Sequence, residues 1–151
     1  MEINTRIFGQ VNIEDDKLIH FPLGIVGFPE LTDFAIIHDS EQGDQAGIRW
    51  MQSVQEPGFA MPVIDPLMVV DDYNPEVDDE LLKTIGGLDD VLVLVTITVP
   101  SDLTKMTVNL KAPFVINVDE RKACQVILDQ DLQVKYPIYD ILQSRKEKAG
   151  E

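Results

Sequence analysis

The chain is poor in the residues on which enzymes and nucleic-acid binders usually rely. It has a single cysteine, Cys124, so no disulfide can form within it. It has two histidines, one tryptophan, and twelve lysines and arginines against twenty-seven acids. That shortage of base disfavours direct binding of DNA or RNA and of anionic membrane surfaces. The most apolar run, Val91 to Val99, is far shorter than the roughly 20 residues that cross a bilayer. The start, Met1-Glu2-Ile3-Asn4-Thr5-Arg6, lacks a basic segment followed by an apolar one, so no secretory signal is expected and the cytoplasm is the expected compartment. Gly-x-Ser-x-Gly, the phosphate-binding Gly-Lys-Ser/Thr loop and His-Glu-x-x-His are also missing.

Negative charge is abundant and unevenly placed. Residues 1–100 hold nineteen acids against Arg6, Lys17, Arg49 and Lys83, and so carry the entire net charge of −15. Residues 101–151 hold eight acids and eight bases. Such a field repels nucleic acid and speeds encounter with a basic partner. At 151 residues and 44% apolar composition, the chain is expected to form one domain over residues 1–143, with 144–151 as a frayed tail.

Strand patterns dominate. Val91 to Val99 begins apolar on both faces and ends by alternating, as a central strand does when both its faces are covered at one end only. Met106, Val108, Leu110 and Ala112 alternate with Thr107, Asn109 and Lys111. Phe114, Ile116 and Val118 follow beyond Pro113, which cannot donate to a ladder and so marks a bulge or an edge. A strand from about Lys122 to Leu128 would complete an antiparallel meander. Shorter strands are expected at Ile3–Phe8, Gln10–Ile13, Lys17–Phe21, Phe34–His38, Ile48–Val54 and Phe59–Ile64, separated by turns such as Glu14-Asp15-Asp16 and Gln42-Gly43-Asp44. A helix is expected from an Asn74 cap and Pro75 through Ile85 to Gly86-Gly87, and a second from Pro137 into Arg145-Lys146-Glu147-Lys148. The sum is a mostly-β fold: a small antiparallel β-barrel-like single domain with one or two short helices.

Candidates for chemistry are few. His20 and His38 lie in strands with no Cys or His at ligand spacing, and Cys124 has no neighbouring base to activate it. Asp71-Asp72 and Asp78-Asp79-Glu80 match no EF-hand spacing and read first as a solvated acidic face, second as a docking surface for a basic partner. No catalytic residue, metal or cofactor is expected. A carboxylate-based hydrolase remains the enzymatic alternative, because two carboxylates can divide acid and base roles at a separation that sequence does not fix.

Four segments together resemble one family. Phe21-Pro22-Leu23-Gly24-Ile25-Val26-Gly27-Phe28 is similar to its Phe-Pro-x-Gly-x-x-Gly-Phe turn. Arg49-Trp50-Met51-Gln52-Ser53 and Ile64-Asp65-Pro66 resemble its Trp-Leu-Gln-Ser and Asp-Pro elements, with Tyr73 in the place of a family Tyr. The most specific run is Val108 to Asn117, backed by Ala123 to Leu128. The resemblance is to the flagellar assembly factor FliW family and extends from about Ile7 to Leu128. Val26 where Pro is frequent, Met51 for Leu and an extra Pro29 are the departures.

The resemblance implies a β-barrel-like, non-enzymatic partner switch, monomeric when free. It would bind the carbon storage regulator CsrA, relieve repression of flagellin mRNA, and bind flagellin as the competing partner. A flagellin chaperone without regulatory role is the neighbouring alternative. Within the chain, the loop Asp71-Asp72-Tyr73 offers acids with an aromatic, and Asn109, Lys111 and Pro113 offer the polar face and break of a strand, so these six residues are the expected protein-binding set.

Overall fold

The computed structural model describes residues 2–6, 9–14, 17–38, 48–86 and 91–149. The turn expected at 42–44, Asp15 and Asp16, the ends of the first strand at Ile7 and Phe8, the helix end at Gly87 and the last two residues of the tail lie outside them. Among the described residues, eleven strands and two α-helices run in the order β1 (Glu2–Thr5), β2 (Gly9–Asn12), β3 (Leu18–His20), β4 (Asp33–His38), β5 (Arg49–Ser53), β6 (Ala60–Ile64), α1 (Asp79–Lys83), β7 (Val91–Thr98), β8 (Thr107–Val108), β9 (Phe114–Asn117), β10 (Lys122–Gln125), β11 (Tyr136–Pro137) and α2 (Tyr139–Ala149).

Strands β7, β6, β5, β4, β3, β10 and β9 pair in that order, and β9 pairs back onto β7, so seven strands close into a barrel. Closure removes the open edges on which sheets aggregate. Every pairing in the ring is antiparallel except β3 with β10, which meet in parallel at His20 and Lys122. The β1–β2 hairpin stands apart from the ring as a separate two-stranded sheet.

The period-2 alternation of strands divides the core in two. Phe21, Phe34, Met51, Val63, Leu94, Phe114, Ile116 and Ala123 belong to one cluster. Their immediate neighbours Ile64, Val95, Val115 and Cys124 belong to a second, with Val69, Tyr73, Leu82, Ile85, Val108, Leu110, Val126, Leu128 and Ile138. One cluster lies on each face of the barrel wall, and segments 66–85, 106–110 and 126–142 cover the second. This explains why β7 begins as an apolar run on both faces, and why β9, which reads as alternating, is buried at all four of its residues.

The expected meander is replaced by a different arrangement. Strand β8 does not pair with β9; both run antiparallel to β7, one along each half of it. Between the pairs Leu94–Phe114 and Ile97–Val108, two residues of β7 face the five residues 109–113. The break at Pro113 is therefore a wide bulge that adds three residues to one strand. The first helix is also shorter than its sequence pattern suggests. Its cap is Asp78, whose carboxylate accepts from Glu80 N, in place of Asn74, and residues 75–78 are not helical. Pro75 therefore begins a non-helical lead-in instead of a first turn. The domain boundary expected at 143 falls inside α2, which continues through Ala149.

Candidate interaction surface

The six expected binding residues converge on one neighbourhood, but they do different things there. Asp71 and Asp72 are exposed. Tyr73, two residues before a proline and beside two acids, looked like a surface aromatic; it is 8% exposed, and its hydroxyl donates to Leu110 O at 2.7 Å. The polar loop dips into the core because Tyr73 fills the second cluster while its hydroxyl satisfies a carbonyl freed by the bulge. Burial pushes its phenol up to about 12. Tyr73 thus positions the acidic loop on the bulge and presents no aromatic surface to a partner.

The bulge is likewise less open than its sequence implies. Asn109 N donates to Thr96 O, Leu110 N to Gln133 O, Val126 N to Pro113 O and Leu128 N to Lys111 O. Asn109 Oδ1 accepts from Lys111 N at 3.0 Å, and Gln125 Nε2 donates to Ala112 O at 3.3 Å. Pro113 is buried. The Lys-Ala-Pro break was expected to leave strand edge and backbone free for docking; much of that backbone is engaged within the chain. What the bulge offers outward is the half-buried Asn109, Lys111 and Ala112.

A residue without a signal in the sequence organises the surroundings. Gln130 Oε1 accepts from Glu76 N at 2.7 Å, and its Nε2 donates to Asn74 O at 3.1 Å. Lys111 Nζ reaches Gln130 O at 3.4 Å. These contacts bring Asp129 and Asp131, both exposed, beside the exposed acids Asp71, Asp72, Glu76, Asp78, Asp79 and Glu80. The acidic face therefore crosses the boundary that linear charge counting drew at residue 100. It was hidden because the eight bases of residues 101–151 cancel all eight acids there, Asp129 and Asp131 among them, in the count.

The other titratable candidates hold local structure. His20 Nδ1 lies 2.9 Å from Asp33 Oδ1 on the exterior, and Thr32 Oγ1 donates to the other carboxylate oxygen of Asp33. The hydroxyl therefore points to the acid and not to the imidazole, so the three do not form a nucleophile–base pair. Cys124 is buried in the second cluster, and desolvation pushes its thiol up, away from the reactive thiolate. Among the described residues no cluster of three or more His, Cys, Asp or Glu is placed to hold a metal ion, and no helix is long and apolar enough to cross a membrane.

The Phe21–Phe28 turn is built tightly. Gly24 N donates to Phe21 O at 2.9 Å, and Ile25 and Phe28 exchange backbone bonds of 3.3 and 2.9 Å. Gly24 has φ +69°, and a Cβ there would sit 2.4 Å from Pro29 O. Only glycine fits both constraints. Phe21 stacks edge-on against Phe34 and Phe114, while Phe28 does so against Phe59, so the turn is clamped to the barrel at both ends.

Comparison with known proteins agrees with this architecture. A sequence model of the family described as FliW protein matches residues 2–138. The flagellar assembly factor FliW of Lachnoclostridium phytofermentans is 44% identical over 98% of this chain and 97% of its own length. That of Lachnospira eligens is 41% identical over 97% of this chain and 99% of its own. A crystal structure of the flagellar assembly factor FliW superposes with a TM-score of 0.82 at 31% identity, covering 91% of this chain and 96% of the other. Matched along its length in sequence and in the closed barrel it forms, the chain belongs to the FliW family of flagellar assembly factors.

Proposed function

We propose that the protein works in flagellar assembly as a non-enzymatic partner switch in the cytoplasm. It binds the translational regulator CsrA, relieving repression of flagellin mRNA, and releases it when flagellin competes. The observation that carries this reading is the acidic face assembled from residues 71–80 and 129–131, whose eight exposed acids have Lys83 and Lys135 beside them along the chain and Lys111 reaching Gln130 O between them. A surface of that sign attracts a basic RNA-binding protein and repels the RNA competing for it. On this reading Asp71, Asp72, Asn109 and Lys111 face the partner, while Tyr73 and Pro113 hold that surface from beneath. Docked beside an RNA site, the acidic body lowers RNA affinity without occupying the site, and linkage requires that RNA weaken the factor by the same ratio.

The test is a titration of purified CsrA with the protein and with its Asp71→Lys/Asp72→Lys variant, each repeated with flagellin as competitor. The expected result is capture of CsrA by the wild type, displacement by flagellin, and about tenfold or greater loss of affinity in a variant that melts at the wild-type temperature. Absence of CsrA binding by the wild type, or simultaneous binding of both partners, would overturn the switch. Equal affinity of a folded variant would remove the acidic face from it.

A further inference from the structure

The chain segment that carries Asp129 and Asp131 into the acidic face follows directly on an exposed apolar residue, Ile127, and other exposed apolar side chains lie on the Phe21–Phe28 turn. Leu23 and Ile127 are 61% exposed, Val26 is 52% exposed and Phe28 is 42% exposed. Gln125 ties the turn that carries Leu23, Val26 and Phe28 to the segment that carries Ile127: its Oε1 accepts from Val26 N at 2.8 Å while its Nε2 holds Ala112 O. Ile127 lies two residues beyond Gln125, on the same face of an extended segment, and the chain then reaches Asp129 and Asp131.

The patch is rigid for a loop. Ile25 is tucked into the barrel cluster, so the two successive turns leave Leu23 and Val26 at their tips. Phe28 is pinned on Phe59 at a ring separation of 5.0 Å. Apolar side chains carried on a backbone already tied down by such contacts lose less entropy on docking than those of a free loop, which is what an anchoring surface requires.

Charge around the patch decides what it fits. The contributing segments 22–33, 52–63 and 123–133 carry Glu30, Asp33, Glu56, Asp129 and Asp131 and no lysine or arginine. Bases flank these segments at Lys111, drawn toward Gln130 O, and at Arg121 and Lys122, beside His20. A second copy of this chain would bring acid against acid, because the patch would face its own rim in a symmetric pair.

We infer that the apolar turn and Ile127 form the anchoring half of a docking surface for an amphipathic segment of a partner protein, apolar on one side and rich in lysine or arginine on the other. The inference rests on the reading of the protein as a protein-binding factor and deepens it. The acidic face steers and selects by charge, whereas Leu23, Val26 and Ile127 supply the contact that holds the partner in place.

The test uses three synthetic helical peptides of about 18 residues, long enough to present one face. One is of leucine and lysine, a second replaces leucine by serine at equal charge, and a third replaces lysine by glutamate. Binding is measured by fluorescence anisotropy to the wild type and to a Leu23→Ser/Val26→Ser/Ile127→Ser variant, whose altered side chains are all exposed. The wild type should prefer the leucine–lysine peptide to the serine–lysine peptide by about tenfold or more, and the variant should lose that preference while keeping its melting temperature. A preference that survives in the variant, or equal binding of the glutamate peptide, would overturn the inference. So would a wild-type dimer, seen by sedimentation, that the variant lacks. An unchanged preference with CsrA capture intact rejects the anchor alone; a lost capture of CsrA with the preference present rejects the regulatory reading alone.

Discussion

Tyr73→Phe isolates the contact that joins the acidic loop to the bulge. The substitution keeps the ring that fills the core and removes only the hydroxyl that donates to Leu110 O at 2.7 Å. Loss of a buried hydrogen bond costs about 1 kcal/mol, rising to about 3 kcal/mol if the carbonyl is left without a partner. For a domain of this size that lowers the melting temperature by about 3–9 °C. The same residue gives an alkaline signature. Its phenol ionises near 10.0 in an unfolded chain and at about 12 in the fold. Below pH 10 it is neutral in both states and its contribution is intact. As pH rises from 10 toward 12 the unfolded chain ionises first, so stability falls, by about 1.4 kcal/mol already at pH 11. The variant lacks this loss, whereas other tyrosines and the lysines titrate alike in both proteins and cancel in the difference. Urea unfolding at pH 7 and pH 11 should therefore show the wild type more stable at pH 7 and the gap narrowed or closed at pH 11. Equal stability at pH 7 together with a gap independent of pH would refute the placement of Tyr73.

Two glycines in one turn make a matched pair. Gly24→Ala meets Pro29 O at 2.4 Å as well as an unfavourable positive φ, while Gly27→Ala at φ +86° has nothing within 4 Å. Calorimetry should find Gly27→Ala milder, at about 1–2 kcal/mol, and Gly24→Ala clearly worse; equal losses would contradict the close approach at Gly24. Gln52, 1% exposed, accepts from Arg6 N and donates to Pro57 O and Ser53 O at 3.0 and 2.9 Å. Gln52→Ala should cost about 2–4 kcal/mol and speed hydrogen exchange at the Arg6 amide, because it frees the N-terminal hairpin from the barrel. Slow exchange at Arg6 in the variant would show that the hairpin is held by other contacts.

Much of the barrel was legible along the chain because strand alternation is a local property. The apolar run of β7, the positions of β3 to β6, the turn at Gly24 and the irregularity at Pro113 each follow from a few neighbouring residues. The helix start was misplaced because Asn74-Pro75 satisfies the local rule for a cap. In the fold, Gln130 takes Asn74 O and Glu76 N, and the helix begins only where Asp78 can cap it. Of the six expected binding residues, Asp71, Asp72, Asn109 and Lys111 keep an outward part, since polarity alone predicts exposure. Tyr73 and Pro113 go inside because amphipathic and small cyclic residues are buried or exposed according to what lies across from them.

By itself the sequence determined a mostly-β fold without an internal disulfide, strongly acidic and lacking the residues of common catalytic motifs, because composition, periodicity and turn chemistry act over short distances. Only the tertiary structure decided that β9 returns to β7 and closes the ring. It also decided that the bulge bonds much of its backbone within the chain, and that Asp129 and Asp131 join an acidic face begun at Asp71. Each of these depends on a pairing between segments far apart in the chain. Such pairings are set by the summed burial of both faces of the barrel wall, a quantity that no single stretch of residues contains.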